Sequence, residues 1–285
     1  MYKRQSLRYL LDGPPRPARV CGVGPAALFV SVDRTGPVGD AGEAGPEVLA
    51  VCTHDSVRLP LAIVLAASSA ASPWAGRVGV GDAALVGAGS VRLCALTVHV
   101  VRWWFPARPR PVDRDRLELT APALVRLVHE RGVDLPGSLS TNLDRLRLAL
   151  ATGDHDGARR AVDAMLGLGP GLTPAGDDAV AGLLLAVHHL GEPREPAVAR
   201  LRAHVLAAAP RRTNGVSAAL LSQAAKGYAA PQVIAVLDAL GTGPALGAAV
   251  SALLRLGHTS GSDLAHGIAA GALLVLGRRS TGGAA

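Results

Sequence analysis

Residues 167–178, Gly-Leu-Gly-Pro-Gly-Leu-Thr-Pro-Ala-Gly-Asp-Asp, place flexible backbone, a hydroxyl and two carboxylates where an apolar helix should begin. Glycine lets a backbone turn tightly and approach a ligand closely. The first N–H groups of a helix have no intrahelical partner and attract anions. Gly169, Gly171, Thr173, Gly176, Asp177 and Asp178 are therefore candidates for binding a phosphate or carboxylate. No Gly-Lys-Ser/Thr follows, which excludes a Walker loop. Near the C-terminus Gly257-His258-Thr259-Ser260-Gly261-Ser262-Asp263 repeats the design, again before an apolar stretch. In both copies a glycine follows the aspartate four residues later, Gly182 after Asp178 and Gly267 after Asp263. Residues four apart share a helix face. The two helices are expected to cross at Gly182 and Gly267, with Gly271 continuing the stripe, so that both loops and both carboxylates meet.

Plain capping by Thr, Ser and Asp accounts for one aspartate per helix, but it does not require Gly169, Pro170, Gly171 and Gly176 so close together. A carboxylate at a helix start competes with a bound anion. Asp177, Asp178 and Asp263 should then cap, hold a cation, for which Mg²⁺ bridging to a phosphate is the candidate, or accept a substrate NH₂ group. A third helix start, Arg212-Thr213-Asn214-Gly215-Val216-Ser217, offers Thr213 as a cap, Asn214 and Ser217 beside it, and arginine charge for an anion. His258 stands where it can donate to an oxyanion; Thr259, Ser260 and Gly261 complete that loop. No spacing supports a covalent nucleophile.

These residues need elements to hold them. The chain has 285 residues, 49% hydrophobic but only 3% aromatic, so Ala, Leu and Val must fill its core. Such a composition favours close helix–helix approach. Residues 19–23, 27–32, 47–52 and 92–103 read as Val-rich strands, with 93, 95, 97, 99, 101 and 103 on one face. Residues 35–46 read as an exposed loop or hairpin tip, and the Pro-Ala-Arg-Pro-Arg-Pro run at 106–111 as a stiff linker. Beyond it, helices are expected over 122–131, 139–152, 156–166, 177–190, 195–209, 216–228, 231–240, 244–256 and 262–277. The fold class is α+β: a β-rich, antiparallel or small barrel-like domain over 1–110, then an α-helical bundle domain over 112–285.

The net charge of +7 raises nucleic acid as a partner. Lysine occurs only at Lys3 and Lys226, however, and the Ala/Gly/Pro/Arg excess reads as genome composition. The run Arg102-Trp103-Trp104-Phe105 reads as the end of a strand sealing the β/α junction. Cys21, Cys52 and Cys94 match no zinc spacing and read as buried free thiols. No apolar run reaches signal-peptide or membrane-span length. A cytoplasmic protein with neither nucleic acid nor membrane as partner is expected.

The two loops resemble a bacterial family, the AllH-type subunit of oxamate carbamoyltransferase of allantoin breakdown. Its pattern runs close to Gly-x-Gly-x-Gly-Leu-Thr-Pro-Ser-Gly-Asp-Asp, with Ala175 here in place of the serine. The 212–217 segment is similar to the family's middle Thr/Ser motif, and the likeness extends from about 140 to 277. The resemblance implies a carbamoyltransferase subunit with protein partners, and carbamoyl phosphate or a small oxamate-like carboxylate as substrate. It places Thr173, Thr259 and Ser260 on the phosphate, His258 on the carbamoyl oxygen, and Asp178 or Asp263 on the NH₂ group. No cofactor beyond Mg²⁺ is implied. The alternative is a non-catalytic scaffold or regulatory subunit that binds a small anion or metal.

Overall fold

A computed structural model describes residues 7–33, 47–243 and 245–280. The expected loop at 35–46 and Pro244, the expected start of a helix, lie outside the described residues. The chain divides into two compact units, Met1–Pro106 and Ala107–Ala285.

The first unit opens with a single helical turn, α1 (Arg8–Leu11), followed by strands β1 (Arg16–Val23), β2 (Ala27–Val32), β3 (Glu47–Cys52), β4 (Ala62–Val64), β5 (Ala83–Gly87), β6 (Ser90–Leu93) and β7 (Leu96–His99). They form one seven-stranded sheet in the order β4-β3-β2-β1-β5-β6-β7, curled as half a barrel. Every pair is antiparallel except β3 with β4. Alternation sets the inward face: Ala18 and Val20 of β1 and Leu28, Val30 and Val32 of β2 are buried. The β1–β2 register shifts between Val20 and Gly22, leaving Cys21 in a bulge. Trp74 fills the core, and its indole N–H donates to the Gly24 carbonyl at 2.8 Å.

Two expectations fail here. The run 92–103 is not one strand: the chain reverses at Cys94-Ala95, with Leu93 opposite Leu96 and Val91 opposite Val98. The hairpin buries both valines against each other's strand. Nor are the three thiols alike. All are free, but only Cys52 is buried; Cys21 is half-buried and Cys94 exposed in the turn. Burial pushes the Cys52 thiol up to about 11.

The second unit is helical: α2 (Arg114–Arg131), α3 (Gly137–Thr152), α4 (His155–Met165), α5 (Ala175–Leu190), α6 (Pro196–Arg212), α7 (Gly215–Ala225), α8 (Pro231–Thr242), α9 (Leu246–Leu254) and α10 (Ser260–Ser280). The α+β class is borne out. Helix α2 starts well before the expected Pro122, which lies inside it. Asp113 caps that start, accepting from the Asp115 N–H, and the Thr120 hydroxyl contacts the carbonyls of Arg116 and Leu240. Helix α4 starts one residue before the expected 156 and is capped by Asp154, through the Gly157 N–H at 2.8 Å. Helix α8 begins at Pro231 as expected, and α5 ends at Leu190 with Gly191 beyond it. The proline-rich run is anchored at its helical end, where the Arg110 main chain and guanidinium both bond to Asp238.

Helix α5 is buried at every residue from Gly176 to Val187, which its unbroken Ala/Val/Leu composition permits. Its principal neighbour is α10. A Cβ at Gly182 would collide with the Leu264 carbonyl and stand 3.1 Å from the Gly267 Cα. A Cβ at Gly267 would collide with the Ala179 carbonyl, and one at Gly271 would stand 2.6 Å from the Ala186 methyl group. The expected crossing at these three glycines is present. Among the described residues, no helix is long and apolar enough to cross a membrane.

Gly267→Ala should therefore destabilise the protein by about 1–3 kcal/mol or more in urea titrations, because backbone must move. On the same helix Gly277 has open space around it, so Gly277→Ala should stabilise by about 0.5–1 kcal/mol. Equal effects at both positions would contradict the close crossing.

Candidate functional site

The crossing brings two helix starts together. Between α4 and α5 the chain turns through Gly167 (φ +77°) and Gly169 (φ +122°), conformations that suit glycine. A Cβ at Gly167 would strike the Arg212 carbonyl, so this loop lies directly against the end of α6. The loop before α10 turns through Gly257 (φ +60°). The two tips touch: the hydroxyls of Thr173 and Ser260 are hydrogen-bonded at 2.9 Å.

Three aspartates sit in this region, and their surroundings differ. Asp177 is 1% exposed and fully engaged. It accepts from the Gly167 N–H at 2.8 Å, from the Ser217 hydroxyl at 2.7 Å and from the Thr213 hydroxyl. It thereby joins the α4–α5 loop to the end of α6 and the start of α7. Asp178 and Asp263 are each the fourth residue of their helix, 8% and 4% exposed, and each has a buried oxygen, Oδ2, with no hydrogen-bond partner. Burial pushes the Asp178 carboxyl up to about 8. The nearby negative charges of Asp263 and Asp177 push the same way, against hydrogen bonding from Ser260 and Thr173. Burial also raises Asp263, while the Thr259 hydroxyl and His266 pull it down.

The remaining candidates divide between open and occupied. Gly169, Gly171 and His258 are exposed, and Thr173, Thr259 and Ser260 are half-buried. Gly176 and Gly261 are buried where a Cβ would strike the carbonyls of Met165 and Leu253, so both permit close packing. Asn214, not Thr213, caps α7, accepting from the Ser217 N–H at 3.0 Å; Thr213 instead ends α6. The Arg212 guanidinium pairs with Asp163 on α4 at 3.2 Å. Asp163 also bonds to His204 at 2.9 Å. The sequence reading missed Asp163, whose only signal is a lone carboxylate on an amphipathic helix. It also missed Ser262, which exchanges bonds with both main-chain groups of Val133 and fixes the chain after α2 beside α10; the density of hydroxyls around it was the available signal. Among the described residues, no group of three or more His, Cys, Asp or Glu side chains is arranged to hold a metal ion.

The family model described as oxamate carbamoyltransferase subunit AllH matches residues 165–272. This stretch is similar to that family. It holds the α4–α5 loop, the 212–217 segment and the α9–α10 loop, so the AllH resemblance coincides with the three places that meet around the start of α5. No solved structure matches the chain.

The raised Asp178 carboxyl has a thermodynamic consequence. Unfolded, it releases its proton near 3.8; folded, it keeps it up to about 8. Between those values the folded state binds the extra proton, so this group's contribution to stability falls as pH rises and levels off above about 8. The limiting slope is ~1.4 kcal/mol per pH unit. Asp178→Asn removes that slope. Its stability relative to the unaltered protein should therefore climb from pH 5 to pH 8 in urea denaturation. A difference independent of pH would mean that the carboxyl titrates normally.

Proposed function

We propose that this chain is a subunit of a carbamoyltransferase of the oxamate carbamoyltransferase kind, and that the paired starts of α5 and α10 bind carbamoyl phosphate or an oxamate-like carboxylate. The observation that carries this reading is the Thr173–Ser260 contact beside two buried carboxyl groups, each with an oxygen that nothing satisfies. Buried polar atoms left without a partner are uncommon and costly, and a ligand NH₂ group would satisfy them. The AllH match supplies the reaction class and implies protein partner subunits. A division into a β domain over 1–110 and a helical domain over 112–285, joined by the 106–111 linker, is part of the same reading and accords with the two compact units.

Carbamoyl phosphate presents a phosphate, a carbonyl oxygen and an NH₂ group. Hydroxyls of Thr173, Thr259 and Ser260, with the main-chain N–H groups around them, suit the phosphate. His258 suits the carbamoyl oxygen, and Asp178 or Asp263 the NH₂ group. Two carboxylates beside a phosphate would repel it. A carboxyl that retains its proton near neutrality, as Asp178 does, removes one of those charges and still accepts from NH₂ through its carbonyl oxygen. In the transfer, the acceptor's nucleophile attacks the carbamoyl carbon, the bond to the phosphate oxygen breaks, and phosphate leaves. Donors aimed at the developing charge supply the stabilisation. No covalent enzyme intermediate is required.

The second reading, a non-catalytic scaffold or regulatory subunit, is favoured by Asp177. Its bonds to Gly167, Thr213 and Ser217 consume much of the polar chemistry of the region in holding helix starts together. Two measurements separate the readings: titration of carbamoyl phosphate with and without Mg²⁺, on the chain alone and with its partner subunits, and transfer assays on the assembled enzyme. Under the first reading Asp178→Ala and Asp263→Ala each weaken binding at least tenfold and abolish transfer while assembly persists. Full transfer by these variants in a normally assembled enzyme would reject it. Transfer lost only through failed assembly supports the second.

A further inference from the structure

The first unit contains a groove unrelated to the α5–α10 region. Its volume is about 350 Å³, and its walls are two stretches of chain, 62–66 and 99–104, with Leu7, just before α1, and Leu11 of α1 beside them. One wall includes β4, an edge of the sheet. In the parallel β3–β4 pairing, Ala50 N–H bonds to Leu61 and Leu65 N–H to Cys52, so residues 61 and 65 face β3. The main-chain groups of Ala62 and Val64 point the other way, toward the groove. Ala62 is already served: its N–H bonds to Leu59 and its carbonyl accepts from the Trp104 indole at 3.4 Å. Among the described residues Val64 has no main-chain partner on that side, and it is flanked by Ile63 and Leu65 with half-buried side chains.

The charge of the groove is one-sided. Arg58, His99 and Arg102 line it, all three exposed, and among the described residues no Asp or Glu does. Among the described residues, Arg58 and Arg102 make no ion pair. We infer that this groove takes an extended acidic segment of another polypeptide, added as a strand alongside β4. An edge strand with an unpaired main chain is a template for such addition, in which main-chain bonds give affinity and flanking side chains select the sequence. Charge sets the occupant's sign. A second copy of this chain, with net charge +7, is a poor electrostatic match. A nucleic acid strand matches in charge but needs open aromatic faces for its bases. The Arg8 guanidinium already lies over the Trp103 ring, 5.5 Å from its centre, and the Trp104 indole edge is held by the Ala62 carbonyl, so the groove does not offer a row of free stacking platforms.

The test is fluorescence anisotropy of the full chain with a fluorescein-labelled peptide, Glu-Val-Glu-Val-Glu-Val, and its Lys-Val counterpart. Saturable binding of the acidic peptide alone is expected. It should weaken at least tenfold in the Arg58→Glu/Arg102→Glu double variant, and likewise in Val64→Pro, which removes an outward N–H without touching the β3 ladder. Hydrogen exchange should slow at 62–66 when the peptide is bound. Absence of saturable binding overturns the inference. So does binding that both variants leave unchanged, displacement of the peptide by an equal concentration of oligo(dT), or self-association through this edge that Val64→Pro abolishes. None of these outcomes bears on what α5 and α10 bind, so this inference and the carbamoyltransferase reading fail separately.

Discussion

Backbone-to-backbone contact between α5 and α10 governs the second unit. Gly182, Gly267 and Gly271 leave no side chain between the helices, so the carbonyls of Ala179 and Leu264 lie where a methyl group would otherwise be. A core poor in aromatics makes such contact available, because Ala, Val and Leu fill the smaller spaces on either side. Gly182 and Gly267 lie about two turns after each helix start, so their close approach also fixes how near the two starts can come. The Thr173–Ser260 bond follows from that geometry. The meeting of the two polar tips is thus set by an apolar constraint.

Within that frame, neighbouring carboxylates have opposite fates. Asp177 points toward α6 and α7 and acquires three donors; Asp178, the next residue, points toward α10 and has an oxygen with none. A helix turns its successive residues by about 100°, so adjacent positions meet different elements. One carboxylate consolidates the fold, and the other stores an unmet demand for a hydrogen bond. The raised affinity of Asp178 for its proton expresses the same fact in another form, since an isolated buried charge is costly and the proton removes it.

The sheet of the first unit shows how local pattern and long-range pairing divide the work. Alternation in β1 and β2 is legible residue by residue, because the period of two alone decides which side faces inward. The reversal at Cys94-Ala95 is not legible in that way. The face shared by 93, 95, 97, 99, 101 and 103 suits a long strand equally well, and only the pairing of Val91 with Val98 favours folding back. The start of α2 is a similar case: Pro122 has a sound local claim to open a helix, but the cap at Asp113 and the bond from Thr120 to Leu240 carry the helix through it.

The sequence by itself determined the α+β class, the helical character of the second half, and the glycine stripes spaced to let two helices touch. It also marked the three polar segments, because glycine, proline and hydroxyl residues at helix starts act through their own backbone. Only the tertiary structure decided which carboxylate is satisfied. Thr213 reads as a cap for α7 but serves Asp177, Asn214 caps in its place, and Arg212 turns to Asp163. The Thr213 and Arg212 choices depend on groups dozens of residues away, brought within hydrogen-bonding distance by packing, and hydrogen bonds are decided at distances that no spacing along the chain records.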